Sequence, residues 1–261
     1  MITTLAWYGY EMPKKQNFEL IKQIGFDGVL VWWNDEFGDR DFRNNPKLAR
    51  DAGLFVENMH TPFDKINDLW LDNLNGNDLL EYFLDMVKDC ADYQIPTMVM
   101  HLSYGKTPPP FNELGLERVK RIIGEAEKHN VNVAFENLRL INYLEYVLNN
   151  IDSPRAGFCY DSGHHNLYFS HVDLLEKYGS RLMSLHLHDN HGAADHHLLP
   201  FDGNIDWPAT MKNIKQTGYT GPLAMEAENK GYENLSPEEY LRQLYERAKK
   251  LEILIQRGQY Q

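Results

Sequence analysis

Nine polar residues in this chain stand where apolar runs stop. His60, Glu136, Asp161 and Glu226 each end a short apolar run, and His101 and His186 lie next to the end of one. His164 follows three residues after Asp161, and Asp195 and His197 follow His186 on the next connection. Taken singly, each has an ordinary structural role: a hydrogen-bonded histidine, a salt-bridged glutamate, an aspartate capping the next helix. Six successive runs ending in this way are hard to explain by packing. Three carboxylates gathered without cations would repel one another. A divalent metal relieves that repulsion, and mixed imidazole and carboxylate ligation suits Zn, Mn, Co or Fe.

Other polar and aromatic residues near these positions carry weaker signals. His188 alternates with His186 along the run and is expected to face away. His165 and His196 are adjacent spares, while His129 and His171 fall in or beside helices and are expected at the surface. Trp7, Trp32 and Trp33 end the first two runs, which supply no ligand-type residue. They form either an aromatic wall for a substrate or a lid on the fold. Cys90 and Cys159 are expected to be small core residues.

Eight strand-like runs must position these side chains: 2–7, 28–33, 54–60, 97–102, 131–137, 156–161, 182–189 and 222–227. They are nearly continuous in apolar residues, as strands buried on both faces should be. Helical patterns fall between them, near 13–24, 46–52, 78–93, 113–129, 140–149, 171–178, 206–217 and 237–257, several stopping at a glycine such as Gly25 or Gly218. Strict alternation predicts parallel strands. The expected fold class is α/β, a single (β/α)8 TIM barrel over residues 1–261, with an open doubly wound sheet as runner-up. No glycine-rich phosphate loop follows any strand, which counts against a nucleotide-binding sheet. In a barrel all nine ligand-type residues would meet at one rim, where barrel active sites sit. Long connections at 34–45, 61–77, 103–112 and 189–205 would surround them, the third stiffened by Pro108, Pro109 and Pro110.

Composition narrows the functional classes. The 261 residues carry a net charge of −12, a poor basis for gripping a phosphate backbone, so nucleic acid is not the expected partner. Two cysteines exclude a disulfide scaffold and fit a reducing compartment. The N-terminal run lacks the basic start of a signal peptide, and no run approaches the roughly 20 apolar residues of a membrane span. A cytoplasmic protein without a membrane partner is expected; its oligomeric state is not legible. Lys106, Arg139 and Lys230 are the basic residues near predicted strand ends, each read as a solvated loop charge.

The segments HTPF, MHLSYG, AFEN, YDSGHHN, LHLHDN, DHHLLPFDGNIDW and GYTGPLAMEAE resemble, in this order, the xylose isomerase-like superfamily. That superfamily covers sugar phosphate isomerases and epimerases as well as endonuclease IV. The isomerase and epimerase branch implies one divalent metal held by Glu136, Asp161, His186 and Glu226, with Glu136 and Glu226 shuttling protons. The endonuclease IV branch implies three zinc ions on nine ligands, adding His60, His101, His164, Asp195 and His197. The chain departs from ketose 3-epimerases at Gly192, where they carry arginine, and at Asn142, where they carry glutamate. It departs from endonuclease IV in the acidic stretch NDEFGDRDF and at Phe63. The resemblance implies a metal-dependent isomerase or epimerase of a small sugar, sugar phosphate or polyol, acting through an enediolate. The alternative is a multi-zinc phosphodiesterase. A lyase, a dehydratase or an inactive binding relative completes the range. The expected cofactor is a divalent metal, Zn, Mn, Co or Mg, in one tightly held copy, and the expected partner is a small carbohydrate.

Overall fold

The computed structural model describes residues 1–34 and 40–257. Eight parallel strands form one sheet in the order β7-β6-β5-β4-β3-β2-β1-β8. They are β1 (Ile2–Leu5), β2 (Gly28–Trp32), β3 (Phe55–His60), β4 (Thr97–Met100), β5 (Asn132–Glu136), β6 (Ala156–Asp161), β7 (Leu182–His186) and β8 (Leu223–Met225). β8 lies along β1, pairing Ile2 with Leu223. The seam between β7 and β8 is closed by one bridge, Leu187 to Met225, with Leu187 N donating to Ala224 O and Glu226 N to Leu187 O. The eight-stranded barrel read from the sequence is thus present, and its nearly unbroken apolar runs are its strands.

The helices among the described residues are α1 (Lys14–Ile24), α2 (Asn45–Asp51), α3 (Leu74–Asp92), α4 (Glu113–His129), α5 (Asn142–Asn150), α6 (Ser162–Tyr168), α7 (Leu174–Tyr178), α8 (Trp207–Gln216) and α9 (Pro237–Arg257). The Asn73 side chain caps α3 by accepting from Gly76 N, so this helix starts four residues before the expected 78. The short α6 is absent from the sequence reading. Asp161 ends β6 and at once caps α6, its carboxylate accepting from His164 N at 2.6 Å, so strand and helix share a residue with no connection between them.

Most apolar burial lies between the sheet and the helices, where Phe18, Ile21, Phe83, Val87, Ile122 and Leu244 are fully or nearly enclosed. Inside the barrel a separate small cluster holds Val99, Ala134 and Cys159. Cys90 belongs to the outer core and Cys159 to the inner one, both buried as expected. No helix among the described residues is long and apolar enough to cross a membrane.

Candidate metal centre

All nine ligand-type residues meet at the C-terminal ends of the strands. Glu136 (β5), Asp161 (β6) and Glu226, just past β8, are buried to 2, 0 and 5 % exposure. Among the described residues, every ion-pair partner of these three is a histidine. Glu136 lies at the centre. Its Oε2 stands 3.3 Å from His60 Nε2, 3.3 Å from His101 Nε2 and 3.2 Å from His186 Nδ1, and its Oε1 stands 2.8 Å from His164 Nδ1. His186 Nδ1 is also 3.2 Å from Glu226 Oε1. Asp195 Oδ2 joins His164 Nε2 at 3.1 Å and His197 Nε2 at 3.3 Å.

Local structure fixes several of these positions. Asn137 clamps two strand ends together, its amide donating to Asp161 O and its carbonyl accepting from Asp161 N. Asp189 is fully buried and accepts from Phe201 N, Ile205 N and the Trp207 indole, so the connection carrying Asp195 and His197 folds around one carboxylate. His197 Nδ1 lies 2.8 Å from Glu226 O, tying that connection to the end of β8.

His188 does not face away. Residues two apart on a strand project to the same side, so His188 follows His186 inward and it is Leu187 that turns out. His188 Nε2 is 3.1 Å from Asp161 Oδ2, and its ring stacks on His197 with centroids 3.9 Å apart. A side chain at Gly163 would collide with this ring, which accounts for glycine in that helix start.

The electrostatics separate the carboxylates. Burial opposes charge on Glu136, but His101 and His186 hold it well below the usual carboxylate range. Burial pushes Glu226 well above that range, and Glu136 and Asp161 push it further. Asp161 is buried too, yet His164 and His188 hold it down to about 2. Burial lowers His101 and His186, which favours the neutral imidazole that ligates metals.

The donor set fits a divalent cation. Among the described residues five sub-clusters bring ligand atoms within 4.8 Å of one another: His60, His101 and Glu136; Glu136, Cys159 and His186; Glu136, Asp161 and His164; Asp161, His186 and Glu226; His188, His197 and Glu226. His164 Nδ1 and His186 Nδ1 are buried without a partner in hydrogen-bond geometry, despite the short approaches to carboxylates. Two ring nitrogens that approach carboxylates this closely without bonding them are placed to meet a cation between them.

A cavity of about 440 Å³ opens above the cluster. Trp32, Phe63, Tyr104 and Tyr168 form its aromatic sides; Trp32 lies tilted against His60 with centroids 4.3 Å apart, and Phe63 stacks on His101 at 4.5 Å. Of the three tryptophans, only Trp32 borders this cavity. Trp7 lines an adjoining hollow that also touches Trp32. Trp33 points outward, because it follows Trp32 in the strand alternation; its indole donates to Asp89 and it packs on Phe42 and Tyr93. Lys106 and Arg139 do line the cavity, the guanidinium lying 4.5 Å over the Tyr168 ring. Lys230 does not. Residues 35–39 of the acidic stretch after β2 lie outside the described residues. A larger cleft of about 600 Å³, lined by Asp64, Asp68 and Asp78, holds no histidine.

An uncharacterized protein of Sinorhizobium fredii is 29 % identical to this chain, over 94 % of this chain and 91 % of its own length. The structure of D-psicose 3-epimerase with D-tagatose from Clostridium cellulolyticum superimposes with a TM-score of 0.79 at 15 % identity, covering 98 % of this chain and 99 % of that one. The IolI protein with a bound zinc atom superimposes equally well, at 0.79 and 15 %, covering 99 % of each chain. Residues 18–251 match the xylose isomerase-like TIM barrel family, and the chain belongs to it.

Proposed function

We propose that this protein is a metal-dependent isomerase or epimerase of a small carbohydrate. The observation that carries the reading is the pair Glu136 and Glu226, both 3.2 Å from His186 Nδ1 and shifted in opposite directions, Glu136 held down by its histidines against burial and Glu226 pushed up by burial. Titratable groups driven apart in this way are suited to be base and acid at one site. The D-psicose 3-epimerase and IolI structures share the fold, which agrees with this chemistry.

Glu136, Asp161, His186 and Glu226 would hold the ion. When bound, a divalent metal supplies an electrophile that polarises a carbonyl oxygen. Glu136 would accept the proton from the carbon beside that carbonyl, and Glu226 would deliver one to the product. Trp32 and Phe63 pack against the carbon skeleton and exclude water from it. The far end of the substrate faces Lys106 and Arg139. Turnover in D2O tests the assignment: solvent deuterium at the carbon next to the carbonyl is expected. A product without deuterium, formed at full rate, points to hydride transfer and leaves the glutamates as ligands only.

A second reading is favoured by one observation: His60, His101, His164, Asp195 and His197 all join the cluster. Nine donors are enough for three ions, which suits a multi-zinc phosphodiesterase. Nicking of abasic DNA by the zinc-loaded protein would put this reading first.

A further inference from the structure

The barrel interior beneath the ligand cluster is polar where branched apolar side chains are the rule. Thr3, Glu57, Asn58 and Ser184 are buried there, beside the apolar cluster of Val99, Ala134 and Cys159. A bulge in β3 accounts for two of them. Val29 pairs with Val56 and Leu30 with Asn58, leaving Glu57 as the extra residue, so consecutive side chains both reach the interior. The Thr3 hydroxyl donates to Glu57 Oε2, and the Asn58 amide donates to Ser184 Oγ at 3.1 Å. Asn58 and Ser184 lie two residues below His60 and His186 on the same strands, so this bond crosses the barrel one rung beneath that ring pair. The Cys159 thiol is within 4.8 Å of ligand atoms of Glu136 and His186, at the junction of the two levels.

Glu57 Oε1 and Asn58 Oδ1 at this level and His186 Nε2 at the next are among the buried polar atoms without a hydrogen-bond partner. His186 turns its Nδ1 to Glu136 and Glu226, so its Nε2 points out of the cluster. Buried groups of this kind are satisfied by enclosed water when the site is polar and its neighbours are small. We propose that the barrel interior is a buried water site joining His186 Nε2 to Asn58 and Glu57, and that Glu57 is a positioning residue that orients His186 from below. The inference rests on the metal-centre reading through His186 alone. Burial pushes Glu57 up to about 8, so at neutral pH it is a carboxylic acid, which both donates and accepts. A metal-ligating histidine typically gives its second N–H to such a partner, and losing that partner typically costs roughly 10–100-fold in metal affinity.

The test compares the wild type, Glu57→Gln and Glu57→Leu, each reconstituted with Zn²⁺. Zinc affinity is read by competition with a chromophoric chelator, and the His186 tautomer by ¹⁵N NMR, assigned with His186→Gln. Glutamine reproduces the protonated acid, so Glu57→Gln is expected to stay within about threefold of wild type and to keep the Nε2–H tautomer. Glu57→Leu is expected to lose about tenfold or more and to lose the fixed tautomer. Equal zinc affinity in all three, or equal loss in both variants, overturns the inference. If Glu57→Leu does not fold, a high-resolution crystal structure of the wild type decides: water within hydrogen-bond reach of His186 Nε2 supports the inference, and its absence overturns it. A chain that converts no carbohydrate yet shows this water and this affinity pattern retains the inference and loses the proposed function.

Discussion

Glu136 Oε2 and Glu226 Oε1 both stand 3.2 Å from one atom, the Nδ1 of His186. Carboxylates from β5 and from the end of β8 therefore converge at the top of β7. Replacing either with glutamine keeps the volume but removes the group that carries the proton and weakens its hold on a cation. Glu136→Gln and Glu226→Gln are each expected to lower kcat by roughly 10²–10⁴-fold. Circular dichroism should be unchanged, because both residues sit at the rim and the apolar core lies elsewhere. A Glu136→Gln protein with bound metal and full activity would refute the proposed roles.

Exposure ranks the donors. His186, Glu136 and Asp161 are almost fully buried, while His164, His197 and Asp195 rise to 14, 22 and 31 % exposure. The enclosed set should hold its ion through dialysis, and the open set should exchange. Elemental analysis is expected to give about one ion per chain after dialysis and up to about three at saturation, the latter by the donor count. A metal at 100 times its dissociation constant stabilises by about 2.7 kcal/mol, so chelation should lower Tm by about 5–10 °C for a chain of this length. Three ions retained through dialysis would favour the phosphodiesterase reading.

Lys106 and Arg139 have no carboxylate ion pair among the described residues, and both border the cavity. Alanine at either position is expected to raise KM for a phosphorylated ketose by about tenfold, the scale of one charge-assisted hydrogen bond. KM for the unphosphorylated ketose should stay within about twofold. Equal effects on both substrates would mean that neither side chain contacts an anionic group.

Glu57 sets a pH dependence of stability. Its folded pKa of about 8 lies above the ordinary 4.5. As pH rises through that interval, the unfolded chain releases this proton and the folded chain keeps it, so stability falls; above about 8 the loss levels off. Glu57→Gln removes the term. Its advantage over wild type in urea denaturation should be small near pH 4.5, grow across the interval and reach a plateau. An advantage constant with pH would show that Glu57 is ionised in the folded protein.

The ligand-type residues were legible because a charge at the end of an apolar run has few structural explanations once it recurs on successive strands. His188 was misread although the rule that places it, the two-residue period of a strand, needs only the sequence. The same alternation separates Trp32 from Trp33, which adjacency alone had grouped. α6 was hidden because Asp161 serves strand, cap and cluster at once, leaving no connection to mark a boundary. Glu57 carried a signal that went unused: a carboxylate in the middle of FVENMH, where alternation alone gives no reason for it. The roles of Lys106 and Arg139 depend on loop paths that local patterns do not encode.

The seam between β7 and β8 has a mechanical consequence. Elsewhere neighbouring strands share at least three paired positions, but here the ring closes on the Leu187–Met225 bridge. The residues flanking that bridge are His186 and Glu226, two of the donors gathered at the rim. An ion held by both would act as a rivet across the weakest joint of the hoop. Local opening should then begin at this joint in metal-free protein, and the amide protons of Leu187 and Glu226 should exchange with solvent well before those of β4 and β5. Loading the ion should slow those two amides most, so the element that prepares the site for chemistry would also complete the wall that contains it.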